Sequence, residues 1–296
     1  MTEPNYRPSI PPELTQRLEE LARTLYAARD FKYSLSDLGP PGEGSAAAHD
    51  SHAATQAFEN PTIGQRAYFL ADVWLTEIAH HLGALGALYE QGEVVFAPLP
   101  LARTILELAA RVAYVLEPAI STRERAARAI IEDGYASEAM AKAEKRIHGK
   151  TTLYQDLRNR VAALRTEVET VFGSAPVGGP HEWEIEGQRF INPSESIRRF
   201  GAIQQAGRVH EGIYDRLSTH THPSLGALLF FDRDDDGRPT GIRIQQGETE
   251  AIAQNSLAFF YRAAKHFVSY AGWKPDPLGP FEGALELAFP AFFTGR

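Results

Sequence analysis

Between Pro98 and Pro118 the chain carries a segment whose charges fall on a single line. It reads Arg103-Thr-Ile-Leu-Glu107-Leu-Ala-Ala-Arg111-Val-Ala-Tyr114, with a charge at every fourth position and apolar residues on every other face. At 3.6 residues per turn, positions four apart share one side of a helix. Two arrangements follow. In one, the charges form a solvated stripe held by an Arg–Glu pair worth roughly a few tenths of a kcal/mol. In the other, the helix is central and packed all round, and Arg103 and Glu107 are buried together. A buried pair must be hydrogen-bonded to further groups, or it costs more than it returns. Tyr214, Ser218, His220 and His222 are then its obvious partners, and Glu107→Ala is expected to destabilise by a few kcal/mol.

Helical periodicity recurs through most of the chain and predicts a mainly α fold, a helical bundle with a small inserted β-hairpin. Pro12 starts a helix to about Asp30, with Leu14, Leu18, Leu21 and Leu25 at helical spacing. A second helix is expected from about Gln65 to Gln91, its core face made of Leu70, Trp74, Ile78, His81, Leu82, Leu85 and Leu88. Gly83 and Gly86 let another helix approach it closely. The third is the Pro98–Glu117 segment. Ser121-Thr-Arg-Glu124 is a capping box that opens a polar, Ala-rich helix to about His148. A fifth helix spans about 151–172 and stops at Gly173, and a short strand is expected at Trp183–Ile191. A sixth helix covers about Ser194 to Thr221. Leu228–Phe231 and Ile242–Ile244 read as the two strands of the hairpin, followed by helices at about Thr249–Gly272 and Phe281–Phe289. Residues 1–64 are expected to be an N-terminal arm, the first helix and a flexible linker, with Gly39–Gly64 a long Pro/Gly/Ala/Ser loop. Residues 65–296 form the bundle domain, with the hairpin near 228–245.

Composition bounds the function more than it names it. The net charge is −8 over 296 residues, which disfavours a broad nucleic-acid surface. There is no cysteine, so disulfides, thiolate metal sites and a cysteine nucleophile are excluded. No apolar run reaches transmembrane length, and the first residues lack a secretory pattern, so a cytoplasmic protein with no membrane partner is the expectation.

The densest chemistry lies in Tyr214-Asp-Arg-Leu-Ser-Thr-His-Thr-His-Pro223. Pro223 has no N–H and closes the helix there. If helix persists to His222, then Glu211, Asp215, Ser218 and His222 share one stripe. Tyr214, Leu217, Ser218 and Thr221 have the spacing of a packed face, and Arg216 points away from it. This segment and the Arg103/Glu107 helix, with His81 upstream, resemble a family of bacterial helical proteins of unknown function. The shared features are Arg and Glu four apart in Ala97-Pro-Leu-Pro-Leu-Ala-Arg103-Thr-Ile-Leu-Glu107, then a Tyr…Leu-Ser…His-Pro helix end, here Tyr214, Leu217, Ser218, His222 and Pro223. The resemblance covers about residues 65–225. It implies a bundle with a polar interior cluster and no particular activity.

Arg216 and His222, with five residues between them, are also similar to the Arg-x4–6-His motif of HEPN-type ribonucleases. That resemblance implies a metal-independent ribonuclease acting across a dimer, although Leu217 stands where a polar residue is usual. Glu77-Ile-Ala-His80 has the spacing of carboxylate-bridged metal bundles, but no second copy appears. His220 and His222 with Glu211 or Asp215 could hold a metal only if the helix unwinds, and haem ligation by His80, His81 or His222 has no sequence marker. No metal ligand set and no cofactor is therefore assigned. Asp232–Gly237 starts like a calcium loop, yet Arg243 falls where the bidentate glutamate belongs, and a hairpin turn fits better. The basic run from Lys142 to Arg160 reads as a solvated face.

Three functions stay open at this point. The first is a bundle that binds a small molecule or metal and could be an enzyme. In it Arg103 grips an anion, Glu107 orients it and His222 is the acid/base, with Tyr214, Ser218, His220, Arg216 and His81 as further contacts. The second is the HEPN-like ribonuclease, the one case with an RNA partner. The third is a structural or regulatory protein without catalysis. A homodimer is compatible with each.

Overall fold

The computed structural model describes residues 10, 12–58, 61–204, 208–221, 231–233, 239–242 and 244–293. The fold is mainly α, a helical bundle with small β-hairpins. Helices α1 (Pro12–Leu35), α2 (Ala46–Phe58), α3 (Pro61–Glu90) and α4 (Pro98–Val115) form the first half, and α5 (Thr122–His148) and α6 (Thr152–Phe172) follow as an antiparallel pair. A tight hairpin of β1 (Glu184–Ile185) and β2 (Gln188–Arg189) leads into α7 (Pro193–Ile203) and α8 (Val209–Thr221). A second hairpin, β3 (Phe231–Arg233) and β4 (Pro239–Ile242), precedes α9 (Gln246–Ala271) and α10 (Gly279–Ala288).

The main core lies where α1, α3, α4 and α9 meet. Leu14, Leu18, Leu21 and Leu25 of α1 are all buried, as their spacing predicts. Tyr26 and Arg29 of α1 lie so close to Gly86 and Gly83 of α3 that a Cβ on either glycine would sit 2.9 Å from them. The face α3 buries is not the one its large residues suggest. Ala67, Ala71, Leu75, Ile78, Leu82, Leu85 and Tyr89 are buried, while Leu70, Trp74, His81 and Leu88 flank them half-buried. Small residues at the centre of the stripe let neighbouring helices come near; the bulky ones seal its edges. A second core joins α5 and α6 around the fully buried Trp183. The capping box at Ser121 and Glu124 is present, and the Lys142–Arg160 run is exposed.

Three local expectations are corrected. The stretch 39–64 is not a loop throughout: it contains α2, and α3 starts at Pro61. What holds α2 is Asp50, buried with its side chain 5% exposed. Its carboxylate accepts hydrogen bonds from Tyr270 OH of α9 (2.7 Å) and Thr122 Oγ1 of α5 (2.6 Å), and Arg125 Nε lies 3.1 Å away. The start of α3 meets α2 backbone to backbone, since a Cβ on Gly64 would fall 2.1 Å from Asp50 O. Second, the helix expected over 194–221 is two helices, α7 and α8, each packed on α4 and on the other, an arrangement no single straight helix can adopt. Third, the strand expected at 183–191 is the two-residue β1/β2 hairpin, turning at Glu186 and Gly187, both with positive φ. In the second hairpin Phe231 pairs with Ile242 as expected, but the strands reach into the stretch expected to be the turn, β3 to Arg233 and β4 from Pro239, and Ile244 is not in a strand; residues 228–230, 234–238 and 243 lie outside the described residues.

Asp50→Ala is expected to destabilise the protein by about 3–5 kcal/mol, because it leaves the Arg125 guanidinium buried without its carboxylate. Urea unfolding of the two proteins measures it, and Asp50→Asn, which keeps the hydrogen-bond acceptor, should lose less.

Candidate functional site

Helix α4 is enclosed by α3, α9, α7 and α8, so the charges on its polar line must find partners. Arg103 Nε donates to Glu107 Oε1 at 2.9 Å, one turn along α4. From α8, Tyr214 OH accepts from Arg103 Nη2 at 3.1 Å, and the guanidinium lies over the Tyr214 ring at 5.2 Å. Burial opposes the charge on Arg103, but the bonds to Glu107 and Tyr214 outweigh it and hold the guanidinium above its ordinary pKa. Of the partners expected for Arg103 and Glu107, Tyr214 is thus in place. The depth of the pair is a correction: the Arg103 and Glu107 side chains are 24% and 25% exposed, a position between the solvated stripe and the buried pair.

Tyr214 is positioned by the way α8 packs. Leu217 is buried with Leu99, Ala102 and Ile252, which fixes the rotation of the helix. Ser218, one turn beyond Tyr214, is half-buried with its Oγ enclosed. Asp215 is exposed, so the Glu211–Asp215 side of the stripe faces solvent. Arg216 points the other way, is 57% exposed and pairs with Glu248 of α9. His222 lies outside the described residues, as do residues 223–230 and most of the Asp232–Gly237 turn, and nothing is described of the His220 side chain. His81 is not part of the group; its Nε2 is 3.8 Å from Glu77 of its own helix, and His80 meets Tyr33. Among the described residues no three histidines, aspartates or glutamates stand together as a metal site. None of the described helices is long and apolar enough to cross a membrane.

The first turn of α8 carries a residue the sequence reading missed. His210 is 2% exposed, its ring packed between Phe200 of α7 (5.0 Å) and Phe259 of α9 (5.2 Å). Arg262 Nη1 is 2.7 Å from His210 Nε2. Arginine can only donate, so Nε2 accepts and the proton is on Nδ1, which is buried without a partner. Desolvation, and then the Arg262 charge, depress the imidazole to about 4. Further along the polar line of α4, Arg111 pairs with the buried Glu132 of α5, whose carboxyl burial pushes up to about 6 against the pull of Arg111. No sequence pattern marks either position, because both partners come from distant helices.

Comparison with protein-family models, with curated proteins and with solved structures finds no match for this chain.

Two outcomes are expected. Glu107→Ala should cost about 0.5–1 kcal/mol in urea unfolding, the range of a partly solvated pair, rather than the several of a buried one. Stability should also fall as pH drops from 6.5 toward about 4, because the unfolded chain protonates His210 before the folded one does. The loss from this residue is at most about 3 kcal/mol, and His210→Gln, whose amide oxygen can accept from Arg262, should flatten it. Glu132 acts with the opposite sign. Its folded form takes the proton first, adding stability as pH falls from about 6 toward 4.5, so Glu132→Gln should steepen the acid loss.

Proposed function

We propose that the protein is a small-molecule-binding helical bundle whose ligand contacts the Arg103–Glu107–Tyr214 group where α4 meets α8. One observation carries this reading. The guanidinium is fixed from two helices, by Glu107 and by the Tyr214 hydroxyl and ring, yet it and its carboxylate partner remain about a quarter exposed. A group oriented by its neighbours but still in reach of solvent is pre-organised for binding at little further entropic cost. The planar fork of Arg103 suits a carboxylate or a similar small organic anion. Glu107 keeps the fork in place and can accept a donor hydroxyl or amine of the same ligand. If the protein is an enzyme, His222, which follows α8 in sequence, is the acid/base. The ribonuclease alternative draws less support, because Arg216 is occupied by Glu248 and faces away from the Tyr214 side.

Titration calorimetry with a panel of small carboxylates, preceded by native mass spectrometry of the purified protein for a retained ligand, tests the proposal. Arg103→Ala should weaken binding about tenfold or more, roughly 1.4 kcal/mol, and Tyr214→Phe by less. Equal affinity in wild type and Arg103→Ala would sink it. RNA cleavage that disappears in both Arg216→Ala and His222→Ala, with folding intact, would install the ribonuclease instead.

A further inference from the structure

A cleft of about 530 Å³ opens between α2 and α3, in the stretch expected to be linker, and it is separate from the α4–α8 group. That volume lies within the usual range for small-molecule sites. Its walls are fixed by contacts made elsewhere. Pro40 accepts a hydrogen bond from Trp273 Nε1 (3.1 Å), and Gly42 N donates to Ala271 O (2.8 Å), which anchors the Pro40–Pro41 wall to the end of α9. Tyr68 of α3 stacks on Phe267 at 5.1 Å and meets Trp273 edge-on. Helix α2 is clasped through Asp50, so the residues it turns toward the cleft, Ser51, His52 and Thr55, are not free to collapse onto α3. Phe69 also lines the cleft, with 56% of its surface exposed.

The chemistry of the lining is specific. Two prolines, Tyr68 and Phe69 offer flat apolar surfaces that suit an aromatic ring. Along one edge, Gln65 Nε2 donates to Ser51 Oγ at 3.1 Å, which leaves the Gln65 carbonyl to accept and the Ser51 proton to be given. Thr55 Oγ1 donates to Ser51 O and can still accept, and the His52 ring is exposed beside it. Among the described residues no Asp, Glu, Lys or Arg lines the cleft. Across Phe69, in a neighbouring hollow, Arg66 and Arg160 are bonded to Asp133 and Glu167.

We propose that the α2–α3 cleft is a second binding site, for an uncharged, flat heteroaromatic molecule with a donor–acceptor edge, of the nucleobase kind. The ring lies between Phe69, Tyr68 and the Pro40–Pro41 wall, and the edge pairs with Gln65 and Ser51.

Adenosine is the probe, observed by saturation-transfer NMR on the full chain. Transfer to the base protons should exceed transfer to the ribose, with dissociation below about 1 mM. Binding should weaken about tenfold in Phe69→Ala and in Gln65→Leu, both surface positions whose variants keep the helical circular dichroism, and vanish when Ala48→Trp fills the cleft. Arg103→Ala should leave it unchanged. Absence of transfer at about 1 mM, or an affinity indifferent to Phe69→Ala and Gln65→Leu, overturns the proposal. So does a loss that follows Arg103→Ala, which would assign the heterocycle to the α4–α8 site. Since carboxylate binding is read on Arg103→Ala and nucleoside binding on Phe69→Ala, either proposal can fail without the other.

Discussion

Helix α4 is covered by other helices over most of its surface. Of its 18 residues, 12 are buried, and helices from both halves of the chain close around it. An apolar helix in that position is ordinary; one bearing Arg103, Glu107 and Arg111 is not, because each charge loses water as the neighbours arrive. The surrounding structure is arranged to answer that loss. Tyr214 comes from α8 for Arg103, and Glu132 comes from α5 for Arg111. At the far end Tyr114 is flanked by Arg128 and Arg199, and its hydroxyl donates to Arg189 O at 3.1 Å. The polar line of one helix therefore sets the rotation of α5, α7 and α8, since only one rotation of each presents the required partner.

This explains which parts of the fold could be read from residues alone. The line of charges on α4 and the Tyr214–Leu217–Ser218 face of α8 are local patterns, and together they give the Arg103–Glu107–Tyr214 group. Ser121 and Glu124 form a cap because all its atoms lie within one turn. Helix α2 was illegible for the opposite reason. Its sequence is alanine interspersed with polar residues, with no apolar period, and the residue that holds it is an aspartate with partners 72 and 220 positions away. His210 and Glu132 were missed likewise. Burial of a titratable side chain is decided by what packs on it, and spacing does not report that. The depth of the Arg103–Glu107 pair was open in sequence because a line of charges looks the same whether its neighbours arrive fully or in part.

The two proposed sites differ in the way their walls are fixed. At the α4–α8 junction the polar groups orient one another, so a ligand meets a charge already held in place by its neighbours. In the α2–α3 cleft the walls are held from behind, by Asp50, Trp273 and Phe267, and the surfaces facing the opening carry little of that bonding. Substitutions on the cleft surface are thereby separated from stability in a way that substitutions of Arg103 are not.

The Asp50 clasp also has a temporal side. Its acceptor is made early in the chain and one of its donors, Tyr270, 220 residues later. At translation rates of about 5–20 residues per second, roughly 10–40 s separate the two. During that interval Asp50 can meet Thr122 and Arg125, and α2 can meet α3, but the bond to α9 is still missing. Closure of such a distant contact is entropically late in folding from the full-length chain as well. Helix α2 is thus the piece of the bundle whose docking waits for the last long helix, and a ribosome-bound chain ending before Tyr270 should leave it open to proteases that the finished protein resists.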